Sequence, residues 1–239
     1  MKTALITGGA VRIGAQIVKT LHENNYRVLV HYHQSKRNAQ TLCNELNAKI
    51  SNSAEIVCAN LNSISEIKKL SSEIESLDLL INNASVFYPT PLSKARRDDW
   101  DNLINVNLKA PYFLATELSN KLSSRNGSII NIVDIHSERP LKNHSIYSIS
   151  KAGLKMLTLS LAKELAPNVR VNGVSPGSII WPQNKDLISD NKKGIMLDRI
   201  ALKRQGKPED IAETVLFLIE SEYITGQIIN IDGGRTLYQ

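Results

Sequence analysis

A phenol that can deliver a proton, that of Tyr147, stands four residues before a cation, the ammonium of Lys151. The carboxyl of Asp134 precedes both. The pattern of residues 145–165 predicts a helix, and positions i and i+4 of a helix share one face. The Lys151 cation would therefore lie beside the phenol and favour its ionised form by lowering its pKa. This spacing predicts acid/base chemistry, although Tyr-x-x-x-Lys by itself is also an ordinary pattern of amphipathic helix surfaces.

A phosphate-binding turn is predicted at the start of the chain. Residues 2–7 have the composition of a short buried strand, and the glycine-containing run 8–14 leads into an amphipathic helix that extends to about Asn24. Glycines permit a tight turn and close backbone approach to a pyrophosphate, and the helix N-terminus offers unpaired N–H groups. Strand, turn and helix in this order are the context that the motif requires. The expected cofactor contacts in this run are Gly8, Arg12, Ile13 and Gly14.

The end of a second predicted strand, residues 27–32, favours NADPH over NADH. A site for NAD commonly places an acid roughly 20 residues after the glycines to hold the adenosine ribose. The run 31–37 contains no acid and offers hydroxyls, imidazoles and two cations, which suit a 2′-phosphate. Alternatively, Lys36 and Arg37 simply occupy the start of a helix, where cations are slightly unfavourable. The expected contacts here are His31, Tyr32, His33 and Ser35.

Strand-like apolar runs alternate with helical patterns along the rest of the chain. Such alternation predicts βαβ crossovers and an α/β fold, a Rossmann-type doubly wound parallel sheet of about seven strands with helices on both faces. The further runs are 54–59, 77–81, 128–133, 169–175 and 227–231.

Composition limits the classes of protein to consider. With 239 residues, 42% of them hydrophobic, we expect a single domain over residues 1–239. Cys43 and Cys58 match no metal-ligand spacing, so we expect no metal, no disulfide scaffold and a reducing compartment. Met1 is followed directly by the first strand, and no stretch approaches the ~18 apolar residues of a membrane span, so we expect a cytoplasmic protein.

The net charge of +6 does not indicate a nucleic-acid partner, because the basic residues are dispersed among acids. A modest positive field instead suits an anionic cofactor and a small-molecule substrate.

Together these motifs resemble the short-chain dehydrogenase/reductase family, over residues 3–237. Besides the glycine turn and the Tyr147–Lys151 pair, the resemblance depends on four further motifs. These are Asn82-Asn83-Ala84, Asn107, Pro176-Gly177 and Asp232-Gly233-Gly234.

The resemblance implies a role for each of these motifs. Asn83 and Ala84 would lie beside a cofactor ribose, and Pro176 and Gly177 near the nicotinamide amide. Lys151 would hold the nicotinamide ribose hydroxyls. Asn107 would keep a helix open for a water that relays protons to Lys151, or else would only cap a local kink.

Three departures from the common family pattern resemble the pteridine reductases and the bacterial dihydromonapterin reductases. Arg12 and Ser85 replace glycines, and Asp134 replaces a serine 13 residues before the tyrosine. Asn60 departs from both patterns, since an Asp is usual there for the adenine amino group. We still expect Asn60 and Leu61 at the adenine.

Asp134 favours a pterin substrate over a ketone. A carboxylate would repel the oxyanion that forms when a carbonyl is reduced, whereas a C=N bond needs a proton on its nitrogen, which Asp134 and Tyr147 can supply. Phe87 would stack on the flat pterin, or else it is a core aromatic, and Ser85 and Arg12 would bind the polar edge of the ring. These residues do not select among dihydrobiopterin, dihydromonapterin and dihydrofolate.

Two other functions remain open. The first is a carbonyl or 3-oxoacyl reductase of the same family that tolerates Asp134. The second is a non-catalytic, cofactor-sensing binding protein, although such proteins typically lose the tyrosine or the lysine, and both are present here.

The resemblance also extends to residues 179–201 and to assembly. It implies that 179–201 covers the substrate, although the residues alone also allow a plain surface insertion. It further implies a homotetramer in which helices at 100–119 and 145–165 pack across a twofold interface and the C-terminal strand supports another.

Overall fold

Seven parallel strands form the central layer of the described part of the protein. This computed structural model describes residues 1–179 and 190–238, and for residues 190–192 it describes the backbone alone. The spatial order of the strands is β3-β2-β1-β4-β5-β6-β7, and it reverses between β1 and β4. In doubly wound sheets, ligands bind at the carboxyl ends of the strands beside such a reversal. The strands are β1 (Lys2–Ile6), β2 (Tyr26–Tyr32), β3 (Ala54–Cys58), β4 (Leu79–Asn82), β5 (Ser128–Ile132), β6 (Arg170–Pro176) and β7 (Ile228–Ile231).

Helices cover both faces of this sheet, which confirms the predicted α/β architecture. One face packs against α1, α2 and α8, and the other against α3, α5 and α6. The helices are α1 (Arg12–Glu23), α2 (Lys36–Lys49), α3 (Ile64–Glu73), α4 (Arg97–Ile104), α5 (Ala110–Ser123), α6 (Ser145–Glu164), α7 (Asp190–Asp198) and α8 (Pro208–Glu220).

The two core layers follow from the alternation of side chains along each strand. In β1, Ala4 and Ile6 join the core beneath α1 and α8, whereas Leu5 joins the core beneath α5 and α6. All five residues of β5 are buried. A parallel strand covered by helices on both faces is buried along its whole length, because neither face meets water.

The long helix expected at 100–119 is interrupted in the middle. Between α4 and α5, residues Asn105–Lys109 form a π-helical segment in which the N–H of Ala110 donates to the carbonyl of Asn105. Pro111 lacks an N–H and cannot donate to the carbonyl of Asn107, four residues earlier, so the regular ladder cannot continue here.

Part of the predicted substrate-covering segment lies outside the described residues, namely 180–189. Of the rest, Asp190–Asp198 form α7. Its covering role remains a prediction. Among the described helices, none combines the length and apolar character that a membrane crossing requires.

Candidate active site

A hydrogen-bonded pair occupies the carboxyl end of β5. The Tyr147 hydroxyl donates to Oδ2 of Asp134 at 2.7 Å. The other oxygen, Oδ1, accepts from the backbone N–H of His136 at 2.8 Å, so the carboxylate is fixed at the start of a short 3₁₀ turn, Ile135–Ser137. Helix α6 carries Tyr147 and Lys151 on one face, as predicted. The ammonium of Lys151 lies 5.8 Å from the centroid of the Tyr147 ring.

The predicted effect of Lys151 on the tyrosine is wrong in this arrangement. Lys151 is buried and its Nζ donates to the carbonyl of Ile132 at 2.9 Å. Burial, and next the Asp134 carboxylate, raise the pKa of Tyr147 well above its ordinary 10.0. Burial lowers the pKa of Lys151 to about 8, a shift that Asp134 partly opposes. The phenol therefore keeps its proton at neutral pH, and the ammonium loses its own in mildly alkaline solution.

The glycine turn after β1 is a backbone cradle that excludes side chains. Gly8 has a φ of +61°, and a Cβ on Gly14 would lie 2.2 Å from the Gly8 carbonyl oxygen. The side chain of Asn83 fixes the turn, because its Nδ2 donates to the carbonyls of Thr7 at 2.8 Å and Gly8 at 3.1 Å. Helix α1 begins without a side-chain cap and without an acid in its first turn. Its first N–H groups therefore suit an anion.

His31 lies behind this turn rather than on its surface. It is 2% exposed, its Nδ1 accepts from the Gly8 N–H, and its Nε2–H donates to the carbonyl of Ala59, both at 3.0 Å. Burial lowers its pKa to about 4, so it remains neutral. Both ring nitrogens are engaged within the protein, so His31 is placed to position the glycine turn. Tyr32 is buried as well.

The exposed polar residues after β2 are better placed to meet a phosphate. His33, Lys36 and Arg37 are exposed, and Ser35 is half-buried at the N-cap of α2 without a side-chain capping bond. The first turn of α2 holds no acid. Positive side chains therefore lie at a helix N-terminus whose own partial positive charge favours a bound anion.

Arg12 occupies a backbone conformation that favours glycine. Its φ is +55°, in the left-handed region, and its side chain is exposed. A non-glycine residue is disfavoured in this conformation by about 1–2 kcal/mol. This strain is a physical reason for the glycine that the family resemblance leads us to expect here, and a non-glycine residue held in such a conformation is a candidate for a functional role.

Asn107 joins three parts of the site. Its Oδ1 accepts from the Ser85 hydroxyl at 3.1 Å and the Val86 N–H at 2.8 Å. Its Nδ2 donates to the Val86 carbonyl at 3.0 Å and the Ser150 hydroxyl at 3.1 Å. Since an amide side chain has four such positions, Asn107 is saturated. The Ser85 hydroxyl, having donated its proton, can still accept a hydrogen bond.

Phe87 lies at the mouth of the site, with 56% of its surface exposed, which does not fit the alternative of a core aromatic. Its ring meets Tyr147 edge-on at 4.8 Å and 80°. It also stacks on His144 at 4.7 Å and 12°. His144 was not among the residues predicted from the sequence. Its position three residues before Tyr147 indicates a neighbour of the tyrosine, since residues i and i+3 of a helix lie side by side.

The remaining predicted residues lie on nearby loops. Asn60 Oδ1 accepts from the Asn62 N–H at 3.0 Å, and Leu61 is buried. Pro176 ends β6, and a Cβ on Gly177 would lie 2.7 Å from the Cα of Asp232, so this crossing needs a glycine. Within the described ranges, no three His, Cys, Asp or Glu side chains are grouped to hold a metal ion.

Known proteins similar to this chain cover nearly all of it. The family described as enoyl-(acyl carrier protein) reductase matches residues 9–236. The 3-oxoacyl-acyl-carrier-protein reductase of Staphylococcus epidermidis is 37% identical over 98% of each chain. Its namesake in Staphylococcus aureus is also 37% identical, over 98% of this chain and 97% of its own. Pteridine reductase 1 of Leishmania tarentolae is 32% identical, over 98% of this chain and 96% of its own.

Proposed function

The chain belongs to the short-chain dehydrogenase/reductase family of oxidoreductases, and on this premise we propose that it is an NADPH-dependent pteridine reductase. It would reduce a C=N bond of a dihydropterin and so produce the tetrahydropterin. The observation that carries the proposal is the 2.7 Å hydrogen bond from Tyr147 to Asp134.

The charge of Asp134 supports an imine substrate. Reduction of a ketone develops negative charge on an oxygen beside the tyrosine, where a neutral donor lowers the barrier and a carboxylate raises it. Reduction of a C=N bond instead leaves a basic nitrogen that must gain a proton. Tyr147 holds its proton firmly, and Asp134 is positioned to share in transferring it.

The backbone of Asn107 supports a route by which this proton is replaced. Its side chain is fully engaged, but its carbonyl has no N–H donor four residues later, because that residue is Pro111. We propose that this carbonyl holds a water on a path to Lys151. We therefore assign the proposed relay role to the backbone carbonyl of Asn107. Its amide side chain instead holds the loop at Val86 through two hydrogen bonds.

The residues around the glycine turn fit a dinucleotide. The turn and the start of α1 would hold the pyrophosphate, and Ala84, Pro176 and Gly177 the nicotinamide half. His33, Ser35, Lys36 and Arg37 would hold a 2′-phosphate, and residues 31–37 offer no acid to an unphosphorylated ribose. When bound, the reduced nicotinamide would supply the hydride.

Arg12, Ser85 and Phe87 would form the pterin site. Phe87 presents an exposed aromatic surface next to the Tyr147 ring. The guanidinium of Arg12 and the free lone pair of Ser85 can bind the polar edge of the pterin.

A second candidate is a 3-oxoacyl reductase, and the identities of the relatives favour it. The relatives with that name are 37% identical, compared with 32% for the pteridine reductase. In that case Asp134 would be tolerated in a site used for ketones. A cofactor-sensing protein without turnover is less well supported, since Tyr147, Asp134 and Lys151 lie together.

Substrate panels separate these candidates. Purified protein would be assayed for NADPH consumption with 7,8-dihydrobiopterin, 7,8-dihydrofolate and an acetoacetyl thioester. We expect turnover of the pterins. Turnover of the thioester alone would support the second candidate, and cofactor binding without turnover of any of these substrates would support the third.

Exposed apolar side chains support the homotetramer as a further proposal. Trp100 on α4, Tyr112 on α5, and Ile149 and Met156 on α6 are 45% to 61% exposed. They lie on the helices that the family resemblance places at a twofold interface, where a partner chain would cover them. A mass of about four chains by light scattering is expected, and a monomer at micromolar concentration would contradict it.

A further inference from the structure

Three aromatic rings form a row at the mouth of the site. The His144 and Phe87 rings are stacked with centroids 4.7 Å apart, and the Phe87 ring meets the Tyr147 ring edge-on at 4.8 Å. Phe87 therefore lies between two side chains of the same helical turn. The interaction connects the loop after β4 to the start of α6.

His144 is itself held in place. Its Nδ1–H donates to the Lys142 carbonyl at 2.9 Å, and its backbone N–H donates to the Leu141 carbonyl at 3.0 Å. Its own carbonyl accepts the N–H of Ser148 at 2.9 Å, which begins the ladder of α6. The imidazole is therefore fixed in position, and its stack restricts the motion of the Phe87 ring.

We propose that His144 is a positioning residue for substrate binding, which holds the Phe87 ring in the orientation needed to stack on a flat heterocycle. This role rests on the proposed function. Phe87 is more than half exposed, so its ring has few other neighbours to fix it. A platform that is already ordered avoids the entropy cost of ordering it when the substrate binds.

The enzymatic test compares His144 with another residue of the same loop. Lys142 is exposed, and its side chain takes part in no ring stack among the described residues. His144→Ala should raise KM for 7,8-dihydrobiopterin about fivefold, the size of an aromatic pair contribution. The value of kcat and the KM for NADPH should stay within about twofold. Lys142→Ala should change neither KM, and His144→Phe should restore the pterin KM.

A double-mutant cycle tests whether His144 acts through Phe87. If it does, His144→Ala added to Phe87→Ala should cause no further rise in KM. Additive effects would mean that His144 acts on the substrate independently of the ring, and would overturn the proposal.

A spectroscopic test does not depend on the substrate. The chain has 3 phenylalanines, so protein labelled with 4-fluorophenylalanine gives few ¹⁹F resonances, and Phe87→Leu identifies the one that matters. His144→Ala should shift and broaden this resonance, and Lys142→Ala should not. An unmoved resonance would overturn the proposal. Absence of pterin turnover by the unaltered protein would instead contradict the proposed function, and the resonance would still decide whether His144 holds the ring.

Discussion

The hydroxyl of Tyr147 donates a hydrogen bond to the carboxylate of Asp134, whereas the ammonium of Lys151 donates to the carbonyl of Ile132. The pair brings a strongly held proton and a fixed negative charge to the same end of the sheet. Under the proposed function, such a site would disfavour an oxyanion and would deliver a proton to a nitrogen.

Asp134→Ser tests this relationship most directly. Serine can still cap the turn at His136, so the fold should be kept while the charge is removed. We expect kcat/KM for a dihydropterin to fall at least about tenfold, and Tyr147→Phe to lower it by about 100-fold or more with NADPH binding retained. The assay is NADPH consumption, with NADPH affinity measured by fluorescence. Full pterin activity in Asp134→Ser would show that the carboxylate is structural.

The lowered pKa of Lys151 predicts an alkaline limit to activity. The ammonium is present below its pKa of about 8 and is lost as the pH rises through that value. The pH profile of kcat/KM, which reports on the free enzyme, should therefore fall above about pH 8. The phenol of Tyr147 titrates well above 10.0 and cannot cause this limb. A flat profile to pH 10, with the fold intact by circular dichroism, would contradict a role for the charged lysine.

The cofactor preference should depend on charge at the start of α2. We expect kcat/KM to be at least tenfold higher with NADPH than with NADH, or about 1.4 kcal/mol. Replacing both Lys36 and Arg37 with Gln should reduce this ratio, whereas either change alone leaves overlapping charge. Lys49→Gln, at the other end of the same helix, is the matched control and should leave the ratio unchanged. Equal kcat/KM for the two cofactors in the unaltered protein would refute the assignment.

Replacing Arg12 with Gly should separate stability from binding. Glycine relieves the strain at a φ of +55°, so the free energy of unfolding should rise by about 1 kcal/mol and Tm by about 2–4 °C. The KM for a dihydropterin should increase more than the KM for NADPH. Lys203, at a φ of +53°, is the comparison for stability, because Lys203→Gly gives similar backbone relief but also removes the hydrogen bond from its Nζ to the Asp198 carbonyl. A larger rise in the NADPH KM would assign Arg12 to the pyrophosphate instead.

Local spacing in the sequence determined the fold and the chemical groups of the site. The alternation of apolar runs predicted the parallel sheet, because strand and helix periods are set by the backbone. The four-residue spacing placed Tyr147 and Lys151 on one face of α6 for the same reason. The glycine that is usual in place of Arg12 reflects a backbone angle that the structure shows to be left-handed.

Only the tertiary structure decided how these groups are used. The pKa of Tyr147 depends on burial and on Asp134, so it is raised where the lysine alone would lower it. The inward position of His31 depends on contacts with Gly8 and Ala59. The stack of His144 on Phe87 joins two loops distant in the chain. Burial and long-range contacts arise from packing the whole chain, and no local spacing encodes them.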